Sequence, residues 1–397
     1  MADVNNGKFR DIPLVLYDPK YGSKLTNTIL ELEKLRVKKL GGPVPPYIFF
    51  QLKNIFQILE SLGSARIEGN NTTLAEFVEK IIEDPKKEGK DEKLKEIYNI
   101  EKAIAFIEKA VDKNTKFDRA LVSNIHKLLV DGLAPPTAGE GSRYPGQFRP
   151  INVSIKRSNH VPPDAIKVPE YFDELMQFVN QPLKEQYHLL MIALSHHRMA
   201  WIHPYDNGNG RLVRMFTYAL LIKQGFQVKS GRILNPTAIF CMDRNKYYEM
   251  LSLADTGEEA MVLGWCSYVL EGLRVEIEKI DKLLDLRYIT QTILLPVLAY
   301  AREKEHITAR EHVILTTLVL NRNMSIKSSD LDRVIGEESP VQRSRILKKL
   351  KDKQMIIPLK PNGRVYTIGF VNNYLMRGVM HVLEKNNFIP SSLNHKN

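Results

Sequence analysis

Cysteine is nearly absent from the 397 residues: Cys241 and Cys266 are the only two. Two thiols cannot build a disulfide framework, and no Cys-His grouping has the spacing of a zinc site. No apolar run approaches the ~18 residues that a membrane span needs. No N-terminal stretch reads as a signal peptide, so the expected location is a reducing cytoplasm and a membrane is not an expected partner. Internal repeats and low-complexity tracts are missing as well.

What is present is an apolar fraction of 43%, enough for real cores, in a chain long enough for two or three domains. The expected class is mainly α. Helical periodicity predicts helices over roughly 93–112, 117–131, 168–180, 184–202, 211–224, 244–255 and 258–284. Asp84–Glu92 and Ala134–Ser142 are coreless loops, and residues 389–397 read as a frayed tail. The expected division is a helical N-terminal region (1–92), a core (93–285) and a basic C-terminal domain (286–397). The last of these holds 18 Lys and Arg against 9 Asp and Glu, so +9 of the net charge of +11 lies there. Its pattern predicts helices at 309–320, 327–334 and 340–353, then strands at 355–359 and 364–368. Lys360-Pro361-Asn362-Gly363 between the strands is a hairpin signal. Three helices and a basic hairpin resemble a winged helix-turn-helix, which implies DNA as a partner through residues 340–365.

The most informative stretch is His203-Pro204-Tyr205-Asp206-Asn207-Gly208-Asn209-Gly210-Arg211-Leu212-Val213-Arg214. A histidine stands before a turn punctuated by Gly208 and Gly210, whose backbone freedom lets an anion come close to main-chain N–H groups. The apolar run from Arg211 to Ile222 ends at Gly225 and reads as a buried helix. The turn therefore delivers its anion to a helix N-terminus, where dipole and free N–H groups favour negative charge. Arg211 and Arg214, at i and i+3, can both face one ligand. These are the parts that hold polyphosphate beside a proton acceptor. His196 and His197 belong to an apolar helix and read as packing residues.

The stretch resembles the signature of Fic-domain (Fic/Doc family) proteins, His-Pro-Phe-x-Asp/Glu-Gly-Asn-Gly-Arg-x-x-Arg. Tyr205 replaces the phenylalanine, and Asn207 stands where the family has its acidic residue. Upstream, Ser64-Ala65-Arg66-Ile67-Glu68-Gly69-Asn70 is similar to the inhibitory motif Ser/Thr-x-x-x-Glu-Gly/Asn of that family. Ile55, Phe56, Ile58, Leu59 and Leu62 have helical spacing, which puts Ser64 to Glu68 on or just after an amphipathic helix. A glutamate there could pair with an arginine of the anion site.

The resemblance implies an all-helical core with a small β-hairpin flap. It implies transfer of AMP from ATP to a Ser, Thr or Tyr hydroxyl of a target protein, or of the chain itself. His203 would be the proton acceptor. Gly208, Asn209 and Gly210 would cradle phosphates, while Arg211 and Arg214 neutralise the leaving pyrophosphate. Mg2+ or Mn2+ would be held by Asn207 or, in its place, Asp206. Ser64, Glu68 and Gly69 would form the inhibitory motif, with Glu68 on Arg214. The alternation of Ile151, Val153 and Ile155 suits a strand of the flap, and Val153 and Ile155 would dock the target segment. Tyr247, Tyr248 and Asp255 would line the adenine pocket. Alternatives stay open: a weakened Fic-fold regulator working through its DNA- or partner-binding domain, a different nucleotide donor, or removal of AMP. A homodimer is a further partner the family admits.

Overall fold

The computed structural model describes residues 8–37, 44–83, 91–155, 158–226, 233–321, 323–331, 334 and 339–394. The chain runs through α1 (Lys24–Val37), α2 (Pro46–Glu68), α3 (Leu74–Glu83), α4 (Glu92–Ala110), α5 (Arg119–Val130) and α6 (Val168–Asn180). It continues with α7 (His188–Ile202), α8 (Asn209–Lys223), α9 (Thr237–Met242), α10 (Arg244–Ala254) and α11 (Glu259–Asp281). After these come α12 (Leu295–Glu303), α13 (Ala309–Leu320), β1 (Ser325–Lys327), α14 (Pro340–Asp352), β2 (Ile356–Pro358), β3 (Val365–Ile368) and α15 (Leu375–Lys385). The chain forms two compact units. The first comprises Met1–Lys39, Glu60–Asn71 and Glu88–Glu278, the second Leu40–Leu59, Thr72–Lys87 and Lys279–Asn397.

The regular elements among the described residues of the first unit are all helical and centre on α7 and α8. From Leu189 to Met199 and from Arg211 to Ile222 every residue of these two helices is buried. A helix apolar on all sides belongs in the middle of a core. α6 packs on α7, and α4 and α5 pack on α8 and on each other. α11 adds Trp265, whose Nε1–H donates to Ala193 O at 2.7 Å. α8 stops where Gly225 takes a φ of 91°, a backbone setting open to glycine.

The second unit holds the three-stranded antiparallel sheet in the order β1-β3-β2. β2 and β3 pair Ile356 with Ile368 and Pro358 with Tyr366, and Asn362 turns the hairpin at a φ of 58°. The expected helix over 327–334 is not what the described residues form. Ser325–Lys327 pairs with Val365–Thr367 as β1, and Ser328–Leu331 is a single 3-10 turn whose Asp330 Oδ2 accepts the Lys327 N–H. Residues 332–333 and 335–338 of that stretch lie outside the described residues. Nor is the tail frayed up to Asn394. Ile389 and Leu393 are buried, because a 3-10 turn at Ser391–Leu393 folds them inward.

Candidate active site

α7 ends at Ile202 because Pro204 biases the residue before it away from helical backbone. His203 turns left-handed instead, at φ 50° and ψ 59°. Such a setting persists only where neighbours fix it, and Arg149 supplies that. Its Nε–H donates to His203 O at 2.9 Å and its main-chain N–H to Pro204 O at 3.0 Å. Burial, then the nearby His160 and Arg149, lowers the His203 pKa to about 4. The imidazole is therefore neutral at neutral pH and able to accept a proton.

The loop from Pro204 to Gly208 is braced by its own side chains. Tyr205 is buried and stacked on His126, with ring centroids 3.7 Å apart. Asn209 Oδ1 accepts the Tyr205 N–H at 2.9 Å, and its Nδ2 donates to Tyr205 O at 2.8 Å. The Asn209 amide is thus committed to the loop rather than to a phosphate. Gly208 caps α8 at a φ of 76°, and a Cβ there would stand 3.0 Å from Val130 Cγ1. The first N–H groups of α8 have no partner within the helix, which is the usual anion seat.

Asp206 and Asn207, expected as metal ligands, are turned to the neighbouring loop. Asp206 accepts from Ser142 Oγ and, at 2.9 Å, from the Arg143 N–H. Asn207 Nδ2 donates to Gly141 O at 3.0 Å while its Oδ1 accepts the Gly208 N–H at 2.8 Å. Each of these side-chain oxygens already accepts a hydrogen bond that a hard dication would have to displace. Among the described residues no group of three or more His, Cys, Asp and Glu side chains converges as metal ligands would.

Arg211 and Arg214 are both buried, and both already hold carboxylates. Arg211 pairs with Glu96 Oε1 at 3.2 Å and with Glu140 Oε2 at 3.6 Å, and donates to Glu140 O. Arg214 Nη2 donates to Glu68 Oε1 and to Ser64 O, and its Nε to Ser64 Oγ, each at 2.8 Å. Burial alone would raise the Glu68 pKa, but the charge and hydrogen bond of Arg214 prevail and hold the carboxylate below its ordinary value. A Cβ on Gly210 would stand 2.1 Å from Glu68 Oε1, so the carboxylate lies directly over the start of α8. Arg211 Nε and Arg214 Nη1 are buried without a hydrogen-bond partner, leaving a donor on each guanidinium for a further acceptor.

Gly69 ends α2 at a φ of 110°. Of the residues expected around adenine, Tyr247 is buried and meets His196 Nε2 at 2.9 Å, while Tyr248 is 39% exposed and near Ile67 O. Asp255 is not with them in its contacts: it binds His197 Nε2 at 2.9 Å and lies 3.6 Å from His160 Nδ1. Among the described residues from Gly146 to Pro163 there is no strand, and residues 156–157 lie outside them. Val153 and Ile155 are half-buried in irregular backbone. The loop is tied instead by side chains: Arg149 donates to Ile151 O and Pro163 O, and Asn152 bonds Asp164 and Ala165 N–H.

Sequence reasoning passed over His126, Glu96, the contacts of Asn70 and the anchoring role of Arg149. His126 accepts the Gly146 N–H on Nδ1 and meets Asn207 O through Nε2, both at 2.9 Å, which assigns its proton to Nε2. It gave no signal, being one buried histidine on an ordinary amphipathic helix.

A model of the Fic/DOC family matches residues 116–221. Among curated proteins the chain is similar to Protein adenylyltransferase Fic of Nematostella vectensis, 28% identical over 204 residues, which are 49% of this chain and 42% of that protein. It is 27% identical over 207 residues to the protein of the same name from Aedes aegypti, covering 51% of this chain and 38% of that one. The chain spans less than half the length of these relatives. A Fic family protein from Desulfovibrio desulfuricans has a similar fold, with a TM-score of 0.52 and 20% identity over 89% of this chain and 98% of that one. A Fic domain containing signaling protein from Bacteroides thetaiotaomicron gives a TM-score of 0.52 at 16% identity, over 66% of this chain and 98% of that one.

Proposed function

We propose, from the match of residues 116–221 to the Fic/DOC family model, that the chain is a protein adenylyltransferase whose nucleotide seat is closed by its own Glu68. The observation that carries this is the Glu68 carboxylate, 2.8 Å from Arg214 and lying over Gly210 at the N-terminus of α8. A carboxylate in that place takes the position and the charge partner that a nucleotide phosphate needs.

In the transfer itself, neutral His203 takes the proton of a target hydroxyl as its oxygen bonds to the α-phosphorus of ATP. The bond from that phosphorus to the leaving pyrophosphate breaks. General-base help of this kind contributes ~10²–10⁴ in rate. Main-chain N–H groups at Gly210 and its neighbours hold phosphate oxygens, and Arg214, once freed from Glu68, neutralises the departing charge.

With labelled ATP, Glu68→Gly protein is expected to label itself or added target proteins well above wild type. His203→Ala in the same background should lose that labelling. An inert Glu68→Gly protein would overturn the proposal.

A second reading concerns the second unit. Arg345, Lys348, Lys349 and Lys351 on α14, with Lys360 and Arg364 beside the β2–β3 turn, are exposed. We read residues 309–368 as a winged helix that holds duplex DNA by its phosphates.

A further inference from the structure

α2 ends in a second attachment, two residues beyond Glu68. Asn70 Nδ2 donates to Glu96 Oε2 at 2.7 Å and to Lys93 O at 2.9 Å. Glu96, 2% exposed on α4, presents its other oxygen to Arg211 at 3.2 Å. Asn70 in turn is fixed to the end of α2, its main-chain N–H donating to Ala65 O at 3.1 Å. A chain of contacts therefore runs from the inhibitory segment through Asn70 and Glu96 to the arginine that opens the α8 arginine pair.

The middle of this chain is incomplete. Glu96 Oε1 and Arg211 Nε each lack a directed hydrogen bond, so the pair is held by charge more than by geometry. An acceptor that drew Arg211 away would leave Glu96 buried without its cation. Burial already pushes the Glu96 carboxyl above its ordinary value against the pull of Arg211 and Asn70. Losing the cation favours the protonated acid, a poorer acceptor for Asn70.

We propose that Asn70 and Glu96 form a second latch, which ties the inhibitory segment to Arg211 and is loosened when a nucleotide phosphate engages that arginine. This rests on the reading of Glu68 as inhibitor. Asn70 and Glu96 are positioning residues in it. Nucleotide must then contend with two attachments, Glu68 on Arg214 and Asn70–Glu96 on Arg211, and release of one weakens the other.

The test uses the full chain and ATP itself. Loss of one amide–carboxylate contact should tighten ATP binding by Asn70→Ala about tenfold by calorimetry. In the Glu68→Gly background the same substitution should change ATP affinity less than about twofold, with kcat unchanged, because the latch acts on an equilibrium already shifted. Asn70→Asp, of the same size, sets a carboxylate against Glu96 and should loosen the segment at least as much. If Asn70→Ala and Asn70→Asp melt earlier but bind ATP as wild type does, while Glu68→Gly binds it tighter, the latch is overturned and the Glu68 reading stands. If Glu68→Gly does not tighten ATP binding, the Glu68 reading fails and takes the latch with it.

Discussion

At the scale of single residues, His203 combines a left-handed backbone with an imidazole pushed down to about 4 by burial and nearby cations. The neutral form is the one that accepts a proton, so rate is lost only as pH falls through that value. For Glu68→Gly protein, kcat/KM should stay level from about pH 8 to about pH 5, since this ratio reports the free enzyme. A fall centred near 6.5, the ordinary histidine value, would show that the burial of His203 does not govern its proton. Legibility at this scale is uneven for a physical reason. The His203–Arg214 string and Ser64–Glu68 can be read together because each resembles a motif of one family, and the fold does bring Glu68 onto Arg214. Glu96 and His126 are common types on separate helices and Asn70 stands in the loop after a third, and only folding joins them. Asp255 and Asn209 illustrate the reverse: their chemistry suits a nucleotide, yet the fold commits them to histidines and to the Tyr205 backbone.

Among elements, the core helices announce themselves. The helix expected over 168–180 is found at Val168–Asn180, and that over 93–112 at Glu92–Ala110. Long apolar periodicity, with Asp118 and Asp243 accepting main-chain N–H groups at helix starts, leaves little ambiguity there. β1, with three residues, is too short to carry a pattern, and its pairing partner lies forty positions away. The alternation at Ile151–Ile155 predicts a strand, but no neighbouring strand is within the described residues to pair with it. Under the proposed function, α2 is the element that closes the site. Ser64 is wholly buried and gives Arg214 both a hydroxyl and a carbonyl oxygen. Ser64→Ala removes one of these contacts and leaves Arg214 Nε unsatisfied, a change of about 1–3 kcal/mol. Labelling by that variant should fall between wild type and Glu68→Gly. Activity equal to wild type would mean that Ser64 merely packs.

For the molecule as a whole, charge is unevenly distributed. The first 285 residues carry a net +2, whereas residues 286–397 carry +9. If the six exposed cations of α14 and the hairpin all neutralise phosphates, log K for duplex DNA should fall against log salt with a slope of about −5. Anisotropy titrations over a salt series measure this directly. Absence of binding at low salt, or binding indifferent to salt, would remove DNA as the partner. The division into units was less legible than the charge. Contacts assign Leu40–Leu59 and Thr72–Lys87 to the same unit as the C-terminal residues, and Glu60–Asn71 to the other. Neither composition nor periodicity marks a change of partner within a continuous helix.

Glu68 and Arg214 belong to one polypeptide, so under the proposed function the inhibitor is tethered to its own target. A competitor tethered to its own binding site acts at a fixed local concentration, of millimolar order even for a flexible link. Dilution does not relieve it, and no partner protein has to be supplied to maintain it. Were the closed arrangement favoured by a hundred to one, the apparent affinity for nucleotide would drop about a hundredfold. Under the proposed function, the strength of one ion pair would then set the nucleotide concentration at which the protein starts to work.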